Sequence, residues 1–564
     1  NPNEAVRQWT APFHKAGIQT QMLERGLNGI RMSPVPADVR RLMFQVKKKQ
    51  GTDIARSFDG LNDHRNLALS FQYAREAGMI AQGALSLTHS PVHTVDYYVQ
   101  LADKFIELGA QEICLKDMAG IARPAAVGHL TKAIRQRHPD VLIQYHGHST
   151  PGFSVASALE AARNGADIID VGMEPLSWGT GHADLLTVHA MLRDAGFLVP
   201  DIDMEAYMEV RRLTQEFIDE WLGLYINPRN RLMNSLLIGP GLPGGMMGSL
   251  MADLEQNLRS LNKWLVKNGK QPLTQDQLLI RLFKEVEYVW PRLGYPPLVT
   301  PFSQYVKNVA LMNVIQMAKG KERWTMIDEN TWGMILGRSG KLPGPLGEEI
   351  VKLAHEQGKE FYYGNPQDLY PDELDYFAGK MREKGWDFGE DDEDLFEYAM
   401  HPPQYEDFRS GKARARLQAD IEKRRSAERA PAAPTPAAPA AAPAAATPAQ
   451  VPAGPQKLRV RVGDEEFEVQ VAWEGQPESN GTASHKHELR APLEGTFYLT
   501  REAGEQPVKV GDRVEKGQRI GYIEAMKVYN AVTADRAGVV AEILVKDGDE
   551  VEEDDVLMIL ETES

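Results

Sequence analysis

Between residues 18 and 172 two hydrophobic patterns alternate along the chain. Short apolar runs bounded by Gly, Asp and Asn predict six strands: "IQTQMLERG", "DIARSFDGLND", "AQGALSLT", "EICLKDMAG", "VLIQYHGH" and "ADIIDVG". Between them lie amphipathic stretches such as "TVDYYVQLADKFIELG" and "FSVASALEAARNG", which predict helices. Strand, helix, strand at this regularity predicts βαβ units, a parallel sheet and the α/β class. The density fits a TIM (β/α)8-type barrel. Such a barrel needs eight strands, and the chain opens on the helix-like "EAVRQWTAPFHKAG". The first two strands are therefore expected to be missing from the front.

From Met204 to His401 the pattern turns helical, interrupted by "GPGLPGG" and "LPGPLG". The charged segment "RSGKARARLQADIEKRRSAERA" then predicts a solvated helix. Ala430 to Pro455 is almost entirely Ala and Pro, with nothing to bury. It predicts a semi-rigid linker that reaches about 80 Å at about 3.1 Å per residue. Beyond it, "KLRVRVGDEEFEVQVAWEG" alternates at period two around Gly463-Asp464, a hairpin signature. The last segment repeats itself: "VKVGDRVEKGQRIGYIE" (Val508 to Glu524) matches "VKDGDEVEEDDVLMILE" (Val545 to Glu561). Two like β units predict an all-β flattened sandwich with pseudo-twofold symmetry. Lys527 falls between the units, at the turn of a hairpin. The expected division is 1–203 for the barrel, 204–429 for a helical extension, 430–456 for the linker, 457–490 for the hairpin region and 491–564 for the sandwich.

A chain of 564 residues is too long for one core. The formal net charge of -16 argues against nucleic acid or an anionic membrane as partner, because phosphate binding needs clustered cations. A single cysteine, Cys114, suits a reducing, cytoplasmic compartment. No apolar run approaches the roughly 20 residues of a spanning helix. The opening "NPNEAV" has no initiator Met and no signal-peptide pattern, so the true N-terminus is expected to be missing.

Catalytic side chains in a parallel barrel sit at the C-terminal ends of its strands. Two such ends are chemically rich. One offers Lys116 and Asp117; the other offers His146 and His148, which point to one face because they are two apart on a strand. Two imidazoles suit a divalent Zn, Mn or Co better than Ca or Mg. His89 and His93 flank Pro91 at a helix start and read as loop or cap residues. Gly239, Gly241 and Gly244 fit G-x-G-x-x-G, but Pro240 and Pro243 remove backbone donors and no βαβ unit surrounds them, so a dinucleotide site is rejected.

At the C-terminal end "EAMK", with Met526 before Lys527, resembles the biotinylation motif of biotin carboxyl carrier domains. "APLEGTFYLTREAGEQPVKVGD" resembles the variety found in acetyl-CoA carboxylase. Lipoyl domains share the fold, but their hairpins usually carry Asp before the lysine. The resemblance implies biotin held covalently on Lys527. Val528 stands where the family has Met or Leu.

In the barrel, "CLKDMAG", "YHGHSTPG", "QMLERG" and "RSFDGLND" resemble the carboxyltransferase domain shared by pyruvate carboxylase, the oxaloacetate decarboxylase α subunit and transcarboxylase. This resemblance implies a carbamylated Lys116 binding the metal with His146, His148 and an aspartate of the first strand, which belongs to the expected missing part. It also implies Arg25 as the residue that binds the keto-acid carboxylate. "GPGLPGGMMGSL" resembles the family's PGG loop, in which a Thr or Ser relays a proton between biotin and substrate. Here Gly248 holds that place and Ser249 follows, and a family tyrosine is replaced near Met32. The two resemblances together imply carboxyl transfer from biotin to a keto acid, most simply pyruvate to oxaloacetate. They imply a separate biotin carboxylase subunit, a biotin-protein ligase, and a homodimer within a larger hetero-oligomer. Two alternatives stand beside this: the α subunit of a sodium-pumping oxaloacetate decarboxylase, and a non-catalytic biotin-carrier scaffold.

Overall fold

The computed structural model describes residues 2–239, 241–242, 247–429, 456–462, 465–471, 485–500, 506–525 and 528–562. Six parallel strands pair in chain order: β1 (Gln21–Glu24), β2 (Ile54–Phe58), β3 (Ile80–Ser86), β4 (Glu112–Asp117), β5 (Leu142–Gly147) and β6 (Ile168–Ile169). Each crossover carries a helix: Ala37–Lys49, Ala68–Glu76, Val95–Glu107, Pro124–Arg137 and Ser154–Arg163. All six predicted strands form where the apolar runs placed them, as a half-barrel of TIM type.

β4 is buried at every position and β3 at every position but its first. Strands covered on both faces read as continuous apolar runs, which is why these two stand out in the sequence. One face carries Leu85, Ile113, Leu115, Ile143 and Tyr145 against the helix layer. There Phe71 and Phe105 meet edge to face at 5.6 Å. Gly83 makes room for them, because a Cβ at that position would lie 2.8 Å from the Phe105 ring. The other face carries a polar row. Arg56 Nε donates to Gln82, whose amide donates to Glu112 at 2.7 Å and to Gln144 at 2.8 Å.

The helical extension has its own core around helix Phe302–Ala318, which is buried on all sides. The preceding helix, Gln275–Arg292, starts at a capping box between Thr274 and Gln277. Val299 packs with Phe58, Ala84 and Cys114, fastening the extension to the barrel interior. No helix among the described residues is long and apolar enough to cross a membrane.

β7 (Gln456–Val462) and β8 (Glu465–Val471) form the predicted antiparallel hairpin. Its Gly463-Asp464 turn and the Ala/Pro linker lie outside the described residues. The C-terminal domain comprises β9 (His485–Arg490), β10 (Gly495–Tyr498), β11 (Arg513–Val514), β12 (Arg519–Ala525), β13 (Val528–Thr533), β14 (Gly538–Ile543), β15 (Glu550–Val551) and β16 (Val556–Thr562). They make two four-stranded sheets, β13-β12-β10-β15 and β11-β14-β16-β9. The sequence repeat is visible in this topology. β11 and β12 fall in opposite sheets, and their counterparts β15 and β16 fall in the reverse pair. Phe497, Ile523, Leu557 and Leu560 fill the space between. β9 pairs with β16, so His485–Arg490, ahead of the expected Ala491, is a strand of the sandwich. The sandwich meets the helical extension along an acidic edge: Lys319 pairs with Glu553, and Lys263 reaches Glu552 at 3.1 Å.

Phe105 is fully buried between sheet and helix. Phe105→Ala is expected to lower the barrel's unfolding free energy by about 3–5 kcal/mol, read from urea denaturation.

Candidate active site

Parallel pairing sets the site's first two residues side by side. Lys116 of β4 and His146 of β5 are register partners at the C-terminal end of the sheet. His148 lies just beyond β5, and its backbone pairs with that of His182. Ser149 N donates to Gly181 O at 2.8 Å, which holds the returning loop in place. Three imidazoles are thus brought together, with ring centroids 4.4 to 5.1 Å apart.

Each ring has one nitrogen committed. His146 Nδ1 lies 2.6 Å from Asp170 Oδ2, His148 Nδ1 lies 2.6 Å from Thr180 O, and His182 Nδ1 lies 2.9 Å from Gly147 O. Arg56 Nη1 is also 3.0 Å from His146 Nδ1, but the same Asp170 oxygen stands 2.7 Å from it and takes both protons. Burial pulls His146 down to about 3 and His148 to about 4, so both rings are neutral. His146 Nε2 and His148 Nε2 lie 3.2 Å apart with no proton to share.

Lys116 is fully buried and makes no salt bridge among the described residues. Its Nζ lies 3.8 Å from Met118 Sδ and 4.5 Å from the centre of the Phe58 ring. Burial first, then the Arg56 and Arg25 guanidiniums, pulls it down to about 7. Asp117 does not neutralise it. That carboxylate takes the amides of Ile121 and Ala122 at 3.0 and 2.9 Å, and burial pushes it up to about 7.

The two motifs are joined through Gly120. Its φ is +70°, and a Cβ there would lie 2.3 Å from His148 O. His148 N donates to Asp117 O at 3.1 Å across the same gap. "KDMAG" therefore ends in glycine because the His148 backbone occupies the space of a side chain.

Arg25 follows β1, partly buried. Its Nη1 donates to Arg31 O at 3.1 Å, which leaves most of its donor fork for a ligand. Met32 is exposed in the loop beyond it. Ser249 lies in the first turn of helix Met247–Lys267, and its side chain is outside the described residues. So are Met526 and Lys527; β12 and β13 stay paired up to Ala525 and Val528, so these two residues are the connection between the strands. His93 meets Ser90 Oγ at 2.7 Å and Thr94 caps the next helix, in keeping with a loop role.

The sequence reading missed His182, Asp170 and Arg56. Asp170 ends the last apolar run and was open to the same strand-end rule. His182 sits in a loop, where no periodicity points to it.

Three family descriptions match the chain: "HMGL-like" over residues 43–214, "Conserved carboxylase domain" over 273–472 and "Biotin-requiring enzyme" over 487–560. One subunit of the pyruvate carboxylase of Methanocaldococcus jannaschii is 29% identical over 90% of this chain and 81% of that protein. The methylmalonyl-CoA carboxyltransferase 5S subunit of Propionibacterium freudenreichii subsp. shermanii is 30% identical over 68% of this chain and 71% of that protein. The chain belongs to the biotin-dependent carboxyltransferase family. It is an enzyme of that family, a carboxyltransferase joined to a biotin carrier. The carboxyl transferase domain of Rhizobium etli pyruvate carboxylase shares the fold, with a TM-score of 0.60 over 72% of this chain and 67% of that one, at 24% identity.

A carboxyltransferase of this family implies a divalent metal, and the residues present fit one. Metal–nitrogen bonds of about 2.0–2.1 Å in a tetrahedral site place nitrogens about 3.4 Å apart, close to the 3.2 Å between the two Nε2 atoms. The ligand atoms of His146, His148 and His182 lie within 4.8 Å of one another.

Gly120→Ala is expected to cost about 2 kcal/mol or more of stability, from the left-handed backbone and the contact with His148 O. A thermal melt together with the near-ultraviolet spectrum measures it.

Proposed function

We propose that the chain moves an activated carboxyl group from biotin on Lys527 to pyruvate, giving oxaloacetate, as the carboxyltransferase and carrier subunit of a two-subunit pyruvate carboxylase. The observation that carries this reading is a buried, unpaired Lys116 beside imidazoles with free lone pairs, with Arg25 close enough to depress the lysine. The Methanocaldococcus relative, itself one subunit of a pyruvate carboxylase, supports the division of labour between two chains.

Each residue has a role that its surroundings favour. Lys116, His146 and His148 hold the metal. A free ammonium has only donors and cannot ligate. A neutral amine attacks CO2 and, on losing a proton, becomes a carbamate with an anionic oxygen; burial of Lys116 favours that neutral form. Arg25 takes the pyruvate carboxylate through two parallel N–H groups. A metal here would supply Lewis-acid polarisation of the keto oxygen. Ser249 relays the proton that leaves the pyruvate methyl to the biotin ring nitrogen, whose bond to the carboxyl carbon breaks, and the methyl carbon forms the new bond to that carboxyl carbon. Biotin supplies the carboxyl group in activated form, and Lys527 presents it at the end of paired strands. A biotin-protein ligase attaches it, and a separate biotin carboxylase subunit in the cytoplasm reloads it.

The test uses the full-length chain with its carboxylase partner. Mass spectrometry is expected to find biotin on Lys527, and Lys527→Ala is expected to reduce oxaloacetate formation to background. Arg25→Gln loses a charged hydrogen-bond pair of about 1.5–3 kcal/mol, so KM for pyruvate is expected to rise about 10- to 100-fold. An unmodified Lys527 from cells that make the ligase, or transfer to other keto acids but not to pyruvate, would falsify the reading.

A further inference from the structure

The family resemblance implies Lys116, His146, His148 and an aspartate as metal ligands. It assigns nothing to His182, yet the fold delivers this residue to the same place. The backbone bridge between His148 and His182 fixes the approach, and the His146 and His182 ring centroids are 4.4 Å apart, closer than those of His146 and His148 at 5.1 Å.

The decisive feature is the proton inventory. The partners of the three Nδ1 atoms are a carboxylate and two backbone carbonyls, Asp170, Thr180 and Gly147. All three partners only accept, so each Nδ1 carries a proton and Nε2 is the atom that each ring can offer to a metal. One candidate ligand atom from each of the three rings lies within 4.8 Å of the other two. Oxygen acceptors that set the tautomer and orientation of a ring from behind are the usual second layer of a histidine metal site. The returning loop supplies this layer to His148 through Thr180 and brings in His182 itself. β5 supplies it in turn to His182 through Gly147.

We propose that His182 is a metal ligand, so that three imidazoles hold a borderline divalent ion of the Zn, Mn or Co class, and that this hold does not depend on carbamylation of Lys116. The inference rests on the metal centre of the proposed function and not on the carboxyl acceptor. It makes retention of the ion insensitive to CO2, whereas a site that counts the carbamate among its ligands would hold the metal more weakly as the carbamate decays.

The experiment uses the full-length chain loaded with Co(II) in CO2-free buffer. Its proton NMR spectrum is read for exchangeable, paramagnetically shifted imidazole N–H resonances. Three are expected, one for each Nδ1–H. His182→Gln is expected to remove one and to weaken Co(II) binding at least tenfold in a chelator competition. The wild-type count needs no variant, so it decides even where His182→Gln fails to fold. Two resonances, or a wild type that loses Co(II) once CO2 is removed, overturn the role of His182 and leave a centre of Lys116, His146 and His148 standing. No shifted resonance in the presence of bicarbonate overturns that centre as well.

Discussion

One carboxylate organises the end of the barrel. Asp170 accepts from His146 Nδ1 at 2.6 Å and from Arg56 Nη1 at 2.7 Å, and its second oxygen takes the Gln144 amide. Burial alone would raise its pKa; the His146 hydrogen bond and the Arg56 guanidinium outweigh burial and hold it well below the usual carboxylate range. Because it stays ionised, it fixes the tautomer of His146. Because it holds Arg56, it also keeps a guanidinium near Lys116, one of the causes of that lysine's low pKa. Behind it the row of Arg56, Gln82, Glu112 and Gln144 crosses four strands, with Gln82 at its centre accepting from Arg56 and donating to Glu112 and Gln144. A buried row of this kind stabilises little by itself. It gives the interior one arrangement of donors and acceptors, because any other leaves a buried group unpaired.

How much was legible follows from where the information lies. The six strands could be read because strands under a helix layer set an apolar row against it and end in Gly, Asp or Asn. Lys116, His146 and His148 could be read because strand ends and a period of two are local rules. His182 could not: its position is decided by a backbone bridge to His148, and no local pattern in "WGTGHADLL" encodes a partner so far back in the chain. β9 was missed for a different reason. "HKHELR" is charged, and it is an edge strand, where charge is tolerated and even protective. Lys116 and Asp117 are neighbours in the sequence, yet they do not form an ion pair. Alternation along β4 sends the two side chains to opposite faces, and Asp117 is used up by backbone amides.

The two ends of the chain solve opposite problems. The barrel end is preorganised, with its imidazoles locked by acceptors and its loops joined where Gly120 meets the His148 carbonyl. The carrier has to arrive and leave. Its contact with the helical extension is made of ion pairs, Lys263 with Glu552, both largely exposed, and Lys319 with Glu553, mostly buried. Exposed pairs contribute roughly 0–1 kcal/mol and weaken with salt. A tether raises the local concentration of the carrier, so a weak contact is sufficient for delivery and does not obstruct release.

The remaining tension lies in charge. The chain carries a net charge of -16, yet the strand ends gather Arg25, Arg56 and Lys116. Asp170 neutralises Arg56. Among the described residues Arg25 bonds only a carbonyl, and Lys116 has no anion at all. A buried cation without a partner opposes folding, and local rules of this kind are broken chiefly where function requires it. Lys116 is relieved by losing its proton, whereas Arg25, which keeps its charge, is relieved only by an anion that enters from outside. A small carboxylate beside Arg25 would supply that counter-charge, and a low-dielectric wall strengthens the attraction relative to the open surface. An acidic molecule with an electropositive pocket thus repels anions in general and concentrates them at one point.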